Sequence, residues 1–243
     1  MIVVRKWSQR IMRRMNYHLC LFLKPIVVFV GNVGVGKTTH IYALNKVLNR
    51  LGYTTCITTL KTIFPFTWLT RPFTNYDTLL KIAISLDLIF NAIRLPILAL
   101  IKSIIVPYLR RCQIVLIDEY LPGALVDYIY NGIVYNVMLI SLITIRILLR
   151  LFKVLGLSNF SIVHLYCRKD VLPKRWVQRG TPAEKKLYLI IQDLVFSKFI
   201  KKYSALKVNT EKEFIVNHRI LRDFIVTIAS RHNERCLTFT VKK

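Results

Sequence analysis

The sequence predicts an α/β protein in which a parallel β-sheet is flanked by helices on both faces. Short apolar runs rich in β-branched residues alternate with amphipathic segments, as in proteins built on parallel sheets. A glycine-rich turn follows the first run and an acidic pair follows the third, so both lie at the edge where strands end. The predicted strands are Pro25–Val30, Thr54–Leu60, Gln113–Ile117 and Ser161–Cys167.

The composition favours a folded globular protein. The chain has 243 residues, is 54% hydrophobic and has a net charge of +25, from 37 Lys+Arg and 12 Asp+Glu. The hydrophobic fraction excludes disorder, and eight glycines and eight prolines exclude a collagen-like chain. Five cysteines are too few for a disulfide scaffold, and their wide spacing predicts reduced thiols in an intracellular protein.

Positive charge is concentrated towards the two ends of the chain. Residues 1–76 contain 11 basic and no acidic residues, residues 77–145 are neutral, and residues 146–243 contain 21 basic and seven acidic residues. Such a field attracts polyanions, which include nucleotides, nucleic acid and anionic membranes. Composition alone does not choose among them, so nucleic acid and membrane partners both stay open.

The apolar middle of the chain raises the question of a membrane. Tyr128–Ile145 is an uncharged run of the minimum length for a span, although polar residues lower its hydrophobicity. Charges interrupt a second apolar stretch, Leu79–Leu109. Arg146, Arg150 and Lys153 share one helical face, which fits a helix on an anionic membrane or an ordinary solvated helix. We expect a cytoplasmic protein, with peripheral contact at the inner membrane face left open.

The chain divides into three predicted regions. Residues 1–24 form a basic N-terminal extension, residues 25–230 the folded domain, and residues 231–243 a C-terminal tail. Within the domain, residues 77–157 are predicted to be an apolar helical region and residues 168–186 a short basic lid.

The most specific motif directly follows the first predicted strand. It reads G-N-V-G-V-G-K-T-T and matches G-x-x-x-x-G-K-[ST], the phosphate-binding P-loop. The glycines let backbone N–H groups surround phosphate oxygens, and the next helix, over residues 38–51, directs its positive end at the anion. The predicted ATP-binding residues in this motif are Gly31, Asn32, Val33, Gly34, Val35, Gly36, Lys37, Thr38 and Thr39.

The chemistry of the motif predicts specific roles for its side chains. Lys37 reaches the β- and γ-phosphates, and the Thr38 hydroxyl is placed to bind Mg²⁺. The third predicted strand ends in Asp118-Glu119, where Asp118 would hold Mg²⁺ directly or through water. The sequence therefore predicts a P-loop NTPase fold, with Mg²⁺ as cofactor and ATP as phosphoryl donor.

Several segments resemble the thymidylate kinase family in their order and spacing. Pro107–Asp118 is similar to the family segment that ends in Asp-Arg-Tyr, and Leu121–Tyr128 to the start of the family's next helix. Arg175–Gly180 resembles the Arg-x-x-x-Arg-Gly motif of the lid over ATP. Lys207–Thr210 resembles the last strand and the adenine-proximal loop. The resemblance covers about residues 25–230.

The resemblance implies a nucleoside or nucleotide kinase that transfers the γ-phosphoryl group of ATP to a (deoxy)nucleoside monophosphate or a related acceptor. Arg175 and Arg179 would neutralise charge on the transferring group, because guanidinium groups are always ionised and bind phosphate oxygens in pairs. Thr210 would contact ATP, and a homodimer is implied as well. The predicted catalytic residues are Lys37, Arg175, Arg179, Asp118 and Glu119.

The acceptor half departs from the family pattern. Glu119 stands where the family has Arg after the aspartate, and Leu60-Lys61-Thr62 stands where it has Arg-Glu-Pro. We predict Lys61, Arg71 and Asp87 as acceptor-binding residues.

Two other functions stay open. The second hypothesis, as an alternative to the kinase, is a P-loop ATPase or nucleotide switch associated with a membrane or nucleic acid, because Glu119 beside Asp118 suits the polarisation of a water molecule. The third hypothesis is a nucleotide-binding protein without catalysis.

Overall fold

A computed structural model describes residues 24–70, 77–180, 182–203 and 205–241. The described chain contains a sheet of five parallel strands in the order β2-β3-β1-β4-β5. The four predicted strands are present within one residue of their expected bounds. The strands are β1 Ile26–Val30, β2 Thr55–Thr59, β3 Ile114–Asp118, β4 Ser161–Tyr166 and β5 Ala205–Asn209.

Helices connect the strands. They are α1 Lys37–Arg50, α2 Pro65–Thr70, α3 Asp77–Leu100, α4 Val106–Leu109, α5 Leu121–Val134, α6 Met138–Val154, α7 Val171–Gln178, α8 Lys186–Lys202 and α9 Phe214–Val241. A π-helical turn, Ile101–Ile105, joins α3 to α4. Helix α9 continues beyond residue 230, where the sequence predicted a tail, because no Gly or Pro interrupts it.

Helices cover both faces of the sheet, as predicted, because side chains along each strand alternate between the faces. Val28 of β1 belongs to a core shared with α3, α5, α6 and α8. Its neighbours Val27 and Phe29 belong to a second core shared with α1, α7 and α9. A parallel sheet covered on both faces, with the P-loop between β1 and α1, is the P-loop NTPase fold that the sequence predicted.

The uncharged run Tyr128–Ile145 does not form one membrane-spanning helix. It is divided between α5 and α6, with Asn136 at φ 55° in the turn between them. The two helices pack so closely that a Cβ added at Gly132 would lie 2.7 Å from the Cβ of Ser141. The small and polar residues of this run therefore serve a helix hairpin.

Within the described residues, one helical stretch, Asp77–Leu109, is long and apolar enough to cross a membrane, judged by length and composition alone. A third of its most apolar window is buried against the rest of the protein. Its outer side carries exposed apolar side chains three or four residues apart, which we call the apolar stripe: Ile82, Leu86, Ile89, Ile93, Ile97, Ile101 and Ile105.

Two cysteines are bonded, and the expectation of reduced thiols is wrong for them. Cys56 of β2 and Cys112, which lies just before β3, form a disulfide with their Cα atoms 5.8 Å apart. The two residues meet because β2 and β3 are adjacent in the sheet, an adjacency that cysteine spacing does not disclose. Among the described residues, Cys167 is a free thiol.

Candidate phosphoryl-transfer site

The P-loop lies at the carboxyl end of β1 and passes close beside β4. A Cβ at Gly31 would lie 2.2 Å from the carbonyl oxygen of Leu165, so only glycine fits there. Gly36 has φ 93°, in the left-handed region that disfavours other residues, and the chain turns there into α1. The glycines of the motif thus give the loop its tight path into the helix.

Lys37 is the buried cation of this loop. Its Nζ donates hydrogen bonds to the carbonyl oxygens of Gly31 at 2.7 Å and Asn32 at 3.3 Å. Burial lowers its pKa, while the carboxylates of Glu119 and Asp118 act in the opposite direction. The lysine therefore lies between the phosphate-binding loop and the acidic end of β3.

Thr38 and Asp118 come together as the sequence predicted for a magnesium site. The Thr38 hydroxyl donates to Oδ2 of Asp118 at 2.7 Å, since β1 and β3 are neighbours in the sheet. The other carboxylate oxygen, Oδ1, is buried and has no hydrogen-bond partner within the described chain. A hydroxyl and a carboxylate fit Mg²⁺, which prefers oxygen ligands and completes its shell with water and phosphate.

Helix α7 holds the lid arginines next to the loop that follows β5. Arg175 donates to both the hydroxyl and the carbonyl oxygen of Thr210, each at 2.9 Å. Arg179 directly follows the last residue of α7 in an exposed position, and its charge contributes to lowering the pKa of Lys37. Arg179 is thus close enough to act on Lys37, whereas the guanidinium of Arg175 is hydrogen-bonded to Thr210.

Trp176 also connects the lid helix to the P-loop. Its indole N–H donates to the carbonyl oxygen of Val33 at 2.8 Å, and a Cβ on Gly34 would lie 3.1 Å from the indole nitrogen. Sequence reasoning assigned no role to this residue, although it lies inside the Arg-x-x-x-Arg-Gly motif.

A small open cleft, with a cavity volume of about 20 Å³, lies beyond Lys37 at the carboxyl ends of β1 and β3. Apolar side chains, among them Phe29, Leu60 and Phe196, form part of its wall. Its polar lining consists of Lys37, Lys61, Glu119, Asp127, Tyr188 and Gln192. The lining of the cleft therefore offers both apolar and polar contacts.

The three residues predicted to bind the acceptor have different positions. Lys61 lines the cleft, where its Nζ lies 3.9 Å from Oε2 of Glu119. Asp87 is fully buried and accepts hydrogen bonds from two backbone N–H groups at the start of α2, at 2.9 and 2.8 Å. Lys61 thus lies where an acceptor could bind, whereas the carboxylate oxygens of Asp87 accept hydrogen bonds from the protein itself. Arg71 lies outside the described residues.

A polar network in the cleft was not found from the sequence. Asp127 accepts hydrogen bonds from the Tyr188 hydroxyl at 2.8 Å and from the Thr62 hydroxyl. Burial raises the pKa of Asp127 to about 6, against the smaller opposing effect of these bonds. The sequence does contain one signal of this network: Gly123 and Asp127 are four residues apart and therefore share one face of a helix. In the structure that face of α5 lines the cleft.

No family model matches this chain, and no curated protein matches it in sequence. Among solved structures it is similar to deoxyadenosine kinase from M. mycoides with bound dCTP. The TM-score is 0.47 at 16% identity, over 83% of this chain and 99% of that chain. The same kinase with bound dATP gives a TM-score of 0.45 at 13% identity, over 82% of this chain and 97% of that chain.

Proposed function

We propose that this chain is a phosphotransferase of the nucleoside and nucleotide kinase class, as its resemblance to thymidylate kinases implies. It would transfer the γ-phosphoryl group of ATP to an acceptor in the cleft. One observation carries the proposal: Lys37 belongs to the P-loop and also lines the cleft. A phosphate on the loop and an acceptor in the cleft would therefore meet beside the same ammonium group.

The proposed chemistry requires positioning and charge neutralisation. The loop N–H groups and Lys37 would bind the phosphates, and Arg175 and Arg179 would bind charge that develops during transfer. Mg²⁺, held by Thr38 and Asp118, would neutralise phosphate charge when bound. If the accepting group is a hydroxyl, its oxygen would form a bond to the γ-phosphorus while the bond from that phosphorus to the β,γ-bridging oxygen breaks. ADP would leave, and the hydroxyl proton would pass to a carboxylate.

A direct test uses γ-labelled ATP and a panel of nucleosides and nucleoside monophosphates. Label in a phosphorylated acceptor is the expected result, and label found only in inorganic phosphate would contradict transfer.

The P-loop assignment has a sharper test in Lys37→Ala. Because the variant removes the ammonium group that would contact the ATP phosphates and stabilise the transition state, kcat/KM should fall at least about 100-fold. Lys46→Ala, on the exposed side of the same helix, is the matched control and should change kcat/KM less than about twofold. Equal ATP affinity and activity in wild type and Lys37→Ala would refute the assignment.

ATP hydrolysis is the second candidate, because Glu119 is beside Asp118 and its side chain is 36% exposed in the cleft. In that case ATP should be hydrolysed without any acceptor, and Glu119→Gln should abolish the hydrolysis. Binding of ATP without turnover under all these conditions would instead favour the third hypothesis.

The remaining partner assignments are also proposals. We infer a cytoplasmic protein that forms a homodimer, as the resemblance implies, and the apolar stripe is the surface most suited to such contact. Peripheral binding to an anionic membrane is tested by vesicle flotation at low and high salt, with nucleic acid as competitor.

A further inference from the structure

The polar groups of the cleft indicate which acceptor it binds. We propose that the cleft is built for a neutral, hydroxyl-bearing acceptor and disfavours a phosphate monoester, with Gln192 as a specificity-determining residue. This inference rests on the proposed phosphotransfer function and selects between its two acceptor classes.

The first observation is an exchange of charges between two strand ends. Thymidylate kinases have an acidic residue after the second strand and an arginine after the third, whereas this chain has Lys61 and Glu119 at those places. The two side chains face each other at 3.9 Å, so the pair keeps its attraction with the signs reversed. The arginine that would meet an acceptor phosphate is thereby replaced by a carboxylate.

Glu119 is held in this position by an unusual backbone conformation. It has φ 59°, which is uncommon for a residue with a side chain. Such conformations cost on the order of 1 kcal/mol and persist where the surroundings fix them, often at functional sites. The backbone at the carboxyl end of β3 thus takes a conformation that places Glu119 in the cleft lining.

The second observation concerns the sum of charges around the acceptor. Besides Glu119, Asp127 lines the cleft, and Glu184 is close enough for Glu119 to raise its pKa. The two lining cations are Lys61, already paired with Glu119, and Lys37, which belongs to the P-loop. No arginine is among the described residues that line the cleft. The two lysines are thus balanced by Glu119 and Asp127, and the lining has no surplus positive charge for a phosphate monoester, which carries about −1.5 to −2.

The third observation is an unsatisfied acceptor atom in the cleft wall. Gln192 is 5% exposed, and its Oε1 has no hydrogen-bond partner among the described residues. A buried polar atom without a partner is unfavourable, so a donor from a bound molecule would satisfy it. The Asp127 carboxylate and its Tyr188 donor lie on the same wall. These groups suit hydroxyl or amino groups of an uncharged molecule such as a nucleoside.

The experiment compares matched pairs of acceptors with the full-length protein: each nucleoside against its own 5′-monophosphate, with γ-labelled ATP and Mg²⁺. We expect kcat/KM for the nucleoside to exceed that for the monophosphate by at least tenfold. Preferential conversion of monophosphates to diphosphates would overturn this inference and leave the proposed function intact. Label only in inorganic phosphate, with both acceptors of every pair, would overturn both.

Two variants test the residues. Gln192→Leu should raise KM for the preferred acceptor at least about tenfold with little change in KM for ATP, because it removes a hydrogen bond to the acceptor alone. Asp193→Asn, its exposed neighbour on α8, is the control and should leave both values unchanged. Equal KM values in wild type and Gln192→Leu, with the variant folded by circular dichroism, would overturn the role of Gln192.

The charge argument is tested by binding. Removal of the negative charge in Glu119→Gln should strengthen calorimetric binding of the monophosphate more than binding of the nucleoside, by at least threefold in the ratio of Kd values. An unchanged ratio would overturn the exclusion of phosphate by this carboxylate.

Discussion

Asp127 illustrates how one residue couples the cleft to pH. Its pKa is raised by burial to about 6, above the value of about 3.9 in an unfolded chain. The folded protein therefore binds the proton more tightly, and this contribution to stability is present below pH 4 and lost as pH rises through 6. Asp127→Asn should remove a penalty of up to about 3 kcal/mol at neutral pH.

The measurement is urea unfolding of wild type and Asp127→Asn between pH 4 and 8. The free energy of unfolding of the variant minus that of wild type should increase across pH 4–6. The difference between the proteins is the informative quantity because buried His40 and half-buried His164, whose pKa values are lowered to about 4, act in the opposite direction in both. A difference independent of pH would contradict the assignment.

The site residues differ in how far the sequence could predict them. Lys37 and Thr38 are contiguous within one motif, and Asp118 follows an apolar strand, so pattern alone locates them. Gln192 and Tyr188 come from a helix far along the chain, and only packing of α8 against α5 brings them to Asp127. No local spacing carries that information.

At the scale of elements, Asp87 connects α3 to the start of α2. Its carboxylate accepts hydrogen bonds from two backbone N–H groups and from the Thr67 hydroxyl. These bonds satisfy backbone donors that would otherwise be unpaired at the N-terminus of α2. Asp87→Ala should lower the free energy of unfolding by about 2 kcal/mol or more. Asp77→Ala removes an exposed pair with Lys81 on the same helix and should cost less than about 1 kcal/mol. Similar losses for both variants in denaturant titrations would argue against the cap.

Sequence patterns identified the elements that hydrophobic periodicity determines. They left open the structure of a segment that depends on close packing between helices. Strands were found because contiguous β-branched residues are buried on both faces of a parallel sheet. The run from residue 128 to residue 145 was ambiguous because its composition suits a single span. Contact between Gly132 and Ser141 requires two helices instead, and such a contact is invisible to hydropathy.

At the scale of the whole molecule, the disulfide between Cys56 and Cys112 links residues 56 positions apart. Closing a loop of this length stabilises a fold by about 4 kcal/mol in the chain-entropy model. Thermal melts should therefore shift downwards in reductant for wild type. The double variant Cys56→Ala/Cys112→Ala should melt at one temperature with or without reductant, and an equal shift in both proteins would exclude this bond as the cause.

The apolar stripe on α3 and its π-helical extension affects how strongly molecules of this protein associate with one another in solution. A net charge of +25 keeps molecules apart by electrostatic repulsion, whereas the apolar stripes of two molecules attract each other at short range. At about 0.15 M salt the repulsion extends only about 8 Å, so added salt removes the barrier and leaves the attraction. The second virial coefficient from light scattering should accordingly fall as salt increases, and an Ile93→Glu variant should resist that fall. Ionic strength, more than protein concentration, would then govern whether this molecule stays dispersed.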